Sequence, residues 1–259
     1  MPEKSSIQLT FLGTGTSQGV PVIACKCSVC RSKDTKDKRL RTSVMFSFND
    51  KNIVVDTGPD FRQQMLREQV EHLDAVLFTH EHKDHVAGLD DVRAFNYIQK
   101  QPTDIYASTQ VIKALKREFY YAFEEVKYPG VPQLHIHEIF NKPFSLFGEE
   151  IIPVKVWHYK LPVFGFRIDD ITYITDANRI DEEEKEKIQG TKILIVNALR
   201  KEKHISHFTL SEALDLIAEI KPEKAYLTHI SHLMGTHNEV QSTLPENVFL
   251  AYDGLKVNL

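Results

Sequence analysis

Thr79-His80-Glu81-His82-Lys83-Asp84-His85 puts three imidazoles and two acids into seven residues. The run before it, Leu73-Asp74-Ala75-Val76-Leu77-Phe78, is apolar, short and strand-like. The run after it, Val86-Ala87-Gly88-Leu89-Asp90-Asp91-Val92, reads as the entry to a helix. The motif therefore sits on a strand-to-helix turn, where side chains converge into a cleft instead of filling a core. Neutral imidazole and carboxylate together are the ligand set of zinc and its first-row neighbours. His80 and His82, two apart, point the same way on an extended segment. Asp84 and His85 follow where the chain turns, so they can face a second ion beside the first. The bland alternative is a polar loop that happens to be rich in histidine, and the spacing argues against it.

The rest of the chain is compatible with one domain over 1–259. It has 259 residues, 42% of them hydrophobic and 26% charged, as in ordinary soluble globular proteins. A formal net charge of −4 gives no bulk electrostatic case for nucleic acid. No apolar run is long enough to span a bilayer. Met1-Pro2-Glu3-Lys4-Ser5-Ser6 lacks the apolar stretch of a signal peptide, so the cytoplasm is the default expectation. All three cysteines lie within Cys25-Lys26-Cys27-Ser28-Val29-Cys30, an odd number in a chain without an export signal. Metal binding is then favoured over a disulfide framework or three buried thiols. Three thiolates leave a fourth ligand to be found, a histidine far along the chain.

Taken in order, Ile7–Leu12 reads as a strand running into Gly13-Thr14-Gly15-Thr16-Ser17-Gln18-Gly19. Val20-Pro21-Val22 follows instead of a helix, which rules out a dinucleotide fingerprint; the glycines instead allow backbone to approach something closely. Thr42–Phe48 and Asn52–Asp56 form a hairpin, and Asp60–Val70 a helix. Asp56 is either a partner behind a metal-bound histidine or a turn residue. Ser108 caps a helix over Thr109–Phe119. The aromatic insertion around 119–133 either covers the core or lines a substrate pocket. His135 and His137 share a strand face, for which a solvated face is favoured over a ligand pair. His158 and Asp176 each stand just beyond a strand end. His204 and His207 fall in the loop after the apolar strand Lys192–Asn197, ahead of a capping box at Thr209-Leu210-Ser211-Glu212. Leu210, Ala213, Leu214 and Ile217 mark the buried face of that helix. Asp253-Gly254 reads as a hairpin turn between Val248–Tyr252 and Leu255–Val257. Two groups of strands with helices between and after them give two packed sheets with outer helices.

On His80, His82, Asp84 and His85 the chain resembles the metallo-β-lactamase superfamily, whose signature is His-x-His-x-Asp-His. The resemblance implies an α+β fold, a four-layer αββα sandwich with a dinuclear metal site on one edge. Its remaining ligands, in order a lone His, a bridging Asp and a last His, match His158, Asp176 and His229. The carry-over gives His80, His82 and His158 to one ion and Asp84, His85 and His229 to the other, with Asp176 bridging. Two ions roughly 3.5–4 Å apart can activate a shared water and neutralise the oxygens of a phosphoryl centre. Histidine rather than glutamate at the second motif position favours hydrolases over the di-iron oxidoreductases of the same fold. His232, three residues past His229, is spare and completes a structural Cys3His zinc site with Cys25, Cys27 and Cys30.

This combination is similar to the cyclic phosphodiesterases of the carbon–phosphorus lyase pathway, which act on phosphoribosyl cyclic phosphate. Gly13-Thr14-Gly15, Gln18-Gly19-Val20-Pro21 and Leu227-Thr228-His229-Ile230-Ser231-His232 carry that likeness. It implies a phosphodiesterase on a small cyclic or nucleotide-like phosphate, using two divalent ions (Zn2+ or Mn2+) and one structural Zn2+. A thioester hydrolase of the hydroxyacylglutathione hydrolase type shares the seven ligands and is the alternative, followed by a nuclease like those that process tRNA 3′ ends. Asp84 and His207 are the candidate catalytic residues. His207 is expected at the mouth of the site as the acid that protonates the leaving oxygen, with His204 as its competitor. The expected partner is a small phosphodiester, with no membrane, no nucleic acid and a homodimer compatible with the chain.

Overall fold

The computed structural model describes residues 6–259; Met1–Ser5, which carry most of the leader argument, lie outside them. The first sheet is built from β1 (Gln8–Gly13), β2 (Ser43–Phe48), β3 (Lys51–Val55), β4 (Ala75–Leu77), β5 (Thr103–Ala107) and β6 (Leu134–Glu138). The second contains β7 (Phe144–Leu146), β8 (Glu149–His158), β9 (Leu161–Ile168), β10 (Ile171–Ile174), β11 (Arg179–Ile180), β12 (Ile193–Asn197), β13 (Lys224–Thr228) and β14 (Val248–Leu250). A last strand, β15 (Lys256–Asn258), returns to the first sheet beside β1. Helices α1 (Ser28–Arg31), α2 (Phe61–Arg67), α3 (Lys83–Val86), α4 (Arg93–Gln99), α5 (Thr109–Glu118), α6 (Glu182–Ile188), α7 (Leu210–Ile220) and α8 (His237–Gln241) complete the order.

The αββα sandwich follows from which face of each strand is apolar. Leu9, Phe11, Phe46 and Val55 from one sheet meet Phe166, Ile168, Tyr173 and Ile195 from the other in the central core. The opposite faces are apolar too. Val54, Val76 and Ile105 pack under Phe61, Phe95 and Leu115 of the helices. Leu194, Val196 and Leu227 pack under Ala213, Ile217 and Val240. Strands buried on both faces read as unbroken apolar runs, and β12 (ILIVN) is buried throughout.

Local chemistry fixes the turns. Asn49 and Asp50 join β2 to β3 with φ of 50° and 54°, the left-handed pair that a two-residue hairpin demands. Thr209 and Glu212 form the expected capping box at the start of α7. Gly13 has no room for a side chain, since a Cβ there would lie 1.9 Å from the Arg41 carbonyl. That close approach threads the N-terminal turn between its neighbours. Beyond it, Thr16 N–H donates to the Ile230 carbonyl at 3.1 Å, and Ile230 N–H to that of Thr14 at 2.9 Å.

Three expectations are corrected. Asp253-Gly254 is not a hairpin turn, because β14 pairs parallel with β13 while β15 pairs antiparallel with β1 in the other sheet. The Asp253 carboxylate instead accepts from Leu40 N–H at 2.7 Å and Thr14 Oγ1 at 2.8 Å, tying the crossover to the first sheet. The buried face of α7 runs through Ala213, Leu216, Ile217 and Ile220, with Leu210 and Leu214 only flanking it. His158 closes β8 instead of following it.

Candidate metal centre

In both sheets a group of neighbouring strands runs parallel, β3-β4-β5-β6 in one and β10-β12-β13-β14 in the other. Their C-terminal ends deliver the polar residues. Asp56 follows β3, the histidine motif follows β4, Asp176 follows β10 and His229 follows β13. Asp56, Asp176 and His229 all take positive φ (66°, 52° and 55°). Left-handed backbone at a non-glycine residue costs roughly 1–2 kcal/mol, and it persists where surrounding structure fixes it, commonly at functional sites. Here it swings each side chain out of its strand towards one point.

Two groups of potential ligand atoms result. The donor atoms of His80, His82 and His158 lie within 4.8 Å of one another, as do those of Asp84, His85, Asp176 and His229. Asp176 spans the second set, with Oδ2 3.2 Å from His85 Nε2 and Oδ1 3.1 Å from His229 Nε2. It also reaches the first set's side of the cleft, grouping with His158 and His207.

The imidazoles are aimed from behind. His85 Nδ1 meets Asp56 Oδ2 at 2.7 Å, and His80 Nδ1 meets Thr79 Oγ1 at 2.9 Å. Thr79 Oγ1 donates onward to Asp56 Oδ2 at 2.8 Å, and Thr79 N–H to Oδ1 at 2.9 Å. One buried carboxylate thus orients two histidines, which settles the two readings of Asp56. His158 Nδ1 donates to the Ser206 carbonyl at 2.8 Å. Each contact places the proton on Nδ1 and leaves the Nε2 lone pair facing the cleft, the arrangement of a metal-ligating histidine. Among the described residues, the buried His80 Nε2, His85 Nε2 and His229 Nε2 make no hydrogen bond, although Asp176 oxygens stand 3.2 and 3.1 Å from the latter two. Orphaned buried nitrogens are costly unless something binds there, and these fit divalent cations.

Electrostatics point the same way. Burial, then the nearby His85, holds His80 well below the ordinary imidazole range, so it is neutral. Burial opposes a charge on His229, but Asp176 and Asp84 together outweigh it and lift the group to about 9. His85 is likewise raised, by Asp84, Asp176 and Asp56 against its burial. The carboxylates therefore demand positive charge beside them, which protons on these rings or cations can supply.

His207 departs from expectation. It is 8% exposed, not at the mouth, with Nε2 3.0 Å from Asp176 Oδ1 and its ring stacked 4.7 Å from that of His229. Burial pushes it down to about 4 against the hydrogen bond its ring donates to Asp176. His204 lies behind it, with Nδ1 to Nδ1 at 3.1 Å. The open side of the cleft is a depression of about 470 Å³ lined by His82, His158, Tyr159, Lys160, Leu161, Ile205 and Ser206. A larger groove of about 730 Å³ between α2 and α4 contains none of these residues. The aromatic insertion is divided: Phe119 and Ala122 are buried in the outer core, whereas Tyr120, Val126 and Tyr128 are exposed.

Cys25, Cys27, Cys30 and His232 also converge within 4.8 Å, with Cys25 Sγ and Cys27 Sγ 3.3 and 3.4 Å from His232 Nδ1. The Cys30 backbone amide first, and His232 second, bring the Cys27 thiol down to about 6, towards the thiolate that binds metal. All three cysteines are free of disulfides.

Residues 51–230 match the family model described as the beta-lactamase superfamily domain. A solved structure described as a new diphosphatase from the PhnP family is 39% identical, covers 98% of this chain and 97% of its own, and superposes with a TM-score of 0.92. An octanoyltransferase of Porphyromonas gingivalis is 39% identical over 249 residues, 95% of this chain. That match covers only 50% of the relative, and a coenzyme PQQ synthesis protein B of Methylobacterium nodulans, 28% identical, is covered over 40%. The chain thus spans about half the length, or less, of the curated relatives it matches. The Zn2+-bound PqqB structure from Methylobacterium extorquens, at 20% identity and a TM-score of 0.80, shares the fold. No helix among the described residues is long and apolar enough to cross a membrane. With the family model spanning most of the chain and a PhnP-family structure matching it almost end to end, this protein belongs to the beta-lactamase superfamily and, within it, to the PhnP family.

Proposed function

We propose that the chain hydrolyses a phosphoester or phosphoanhydride bond in a small, nucleotide-like or cyclic phosphate, using two divalent ions. The observation that carries this reading is the convergence of three orphaned Nε2 atoms with Asp84 and Asp176 in two adjoining ligand sets. His80, His82 and His158 would hold one ion, Asp84, His85 and His229 the other, with Asp176 shared. When bound, such a pair supplies Lewis acidity and an activated water. Cys25, Cys27, Cys30 and His232 would hold a separate structural zinc.

The chain's own residues do the remainder. Asp56 and Thr79 keep the His80 and His85 rings fixed. Lys160 at the rim offers a cation to an arriving phosphate. His207 delivers the proton that the departing alkoxide needs, since the seven ligands cannot donate while engaged. An anionic phosphoryl group beside His207 opposes the burial that lowers its proton affinity. The similarity to a diphosphatase of the PhnP family supports phosphorus over carbon as the centre attacked.

A substrate panel tests this. Cyclic and linear phosphodiesters, a nucleoside diphosphate derivative, a phosphomonoester and a thioester are each incubated with the zinc-loaded and the manganese-loaded protein. Turnover confined to phosphorus substrates is expected; preferential thioester cleavage would overturn the reading.

A further inference from the structure

Outside the centre described above, Asp104, His135 and His137 converge at the end of the first sheet. β5 and β6 run parallel in a register that sets Asp104 against His135 and Tyr106 against His137. The acid that both histidines meet thus comes from the neighbouring strand, not from Glu138 beside them in β6. Both rings aim at one oxygen: His135 Nδ1 lies 3.0 Å from Asp104 Oδ1, and His137 Nε2 lies 2.8 Å from the same atom. The three donor atoms lie within 4.8 Å of one another.

We propose that Asp104, His135 and His137 form a further metal site, for Zn2+ or a similar first-row divalent cation, separate from the dinuclear set and from the cysteine cluster. Two imidazoles and a carboxylate are borderline donors that suit zinc, nickel and copper rather than magnesium or calcium. The spacing fits as well. In a tetrahedral site, ligands about 2.0–2.2 Å from a shared ion stand roughly 3.3–3.6 Å apart, so the contacts open by about half an ångström to admit the cation between them. The site is also pre-oriented. The Tyr106 ring stacks on His137 at 4.4 Å and 11°, and Phe144 stacks on Tyr106 at 5.5 Å and 9°. That column restricts the His137 rotamer, as outer partners do in metal sites. Desolvation is modest, because the His135 side chain is 67% exposed and those of His137 and Asp104 about a third. Three protein ligands leave a position open to water. β6 is the terminal strand of its sheet, so a cation here clips the edge strand to β5.

The test is zinc uptake by equilibrium dialysis, starting from protein already loaded with zinc and freed of excess. The parent is expected to take up one further equivalent that the His135→Ala/His137→Ala double variant does not. His135→Ala alone, a change at an exposed position, is expected to weaken that uptake by about tenfold or more, at least as much as losing an outer partner costs. Asp104→Asn is expected to weaken it similarly. Melting of each zinc-loaded protein checks that the variants remain folded. Equal uptake by the parent and both histidine variants across the titration would overturn the proposal and leave only a hydrogen-bonded triad.

Discussion

The His/Asp cleft and the Cys/His corner draw on one short segment, His229 to His232, yet they are assembled differently. The cleft collects side chains from the ends of β3, β4, β8, β10 and β13, across both sheets, and its rings are aimed by Asp56, Thr79 and the Ser206 carbonyl. The corner gathers three cysteines from six consecutive residues and only His232 from afar. Geometry in the cleft is set by the packing of the whole sandwich. Geometry in the corner is set mostly by the local chain, with Cys27 capping α1 by accepting from the Cys30 amide at 3.4 Å. A fault in the cleft should therefore register in chemistry, and a fault in the corner in stability.

Asp176→Ala gives the largest expected effect. Its carboxylate touches His85, His229 and His207, so its loss should lower turnover by more than about 10²-fold, beyond what an outer partner costs, and reduce bound metal while the fold remains. Elemental analysis beside kinetics checks this; full metal content with normal turnover would remove Asp176 from the shared position.

His207→Ala separates proton delivery from metal binding. Turnover should drop by roughly 10²–10⁴ on a substrate with a poor leaving group, and far less on a p-nitrophenyl ester, whose leaving group needs no proton. An equal loss on both, or lower metal content, would recast His207 as part of the ligand set with His158 and Asp176.

Asp56→Asn probes the aiming of the rings. The amide cannot accept from His85 and Thr79 as the carboxylate does, so metal affinity should weaken by about 10–100-fold. Unchanged affinity would mean that strand packing alone orients the histidines.

Cys27→Ser sharpens the other side of the comparison. Losing a structural metal ligand should cost on the order of 3 kcal/mol, lowering the melting temperature by about 6–12 °C. Turnover per folded molecule should fall less, and only through the segment shared with His229. A variant that melts like the parent and retains its zinc would make these cysteines buried thiols.

The smallest effect concerns the ties around the corner that need no metal. His237 is pushed down to about 4 by burial and by Arg39, whose Nη2 lies 3.4 Å from His237 Nδ1. Between about pH 6.5 and pH 4 the unfolded chain binds the extra proton and the folded chain refuses it, so stability falls as pH falls through that window. The contribution is about 1–3 kcal/mol. Melting curves of the parent and His237→Gln across that range should show a flatter pH dependence in the variant; identical slopes would assign the acid sensitivity elsewhere.

The sequence by itself determined the parts whose information is local. Three histidines and an aspartate within seven residues, cysteines two and three apart, a Thr-x-x-Glu capping box and unbroken apolar strands all declare themselves, because ligand spacing, helix entry and two-sided burial depend on neighbours along the chain. Tertiary structure alone decided what depends on which strands lie side by side. It sent β15 to the first sheet, so that Asp253-Gly254 is a crossover. It buried His207 against Asp176 where a loop position suggested a mouth. It also set Asp104 opposite His135, supplying across two parallel strands an acid thirty-one residues away in the chain. Cross-strand register and the side of a sheet that a loop covers are outcomes of global packing, and no window of sequence contains them.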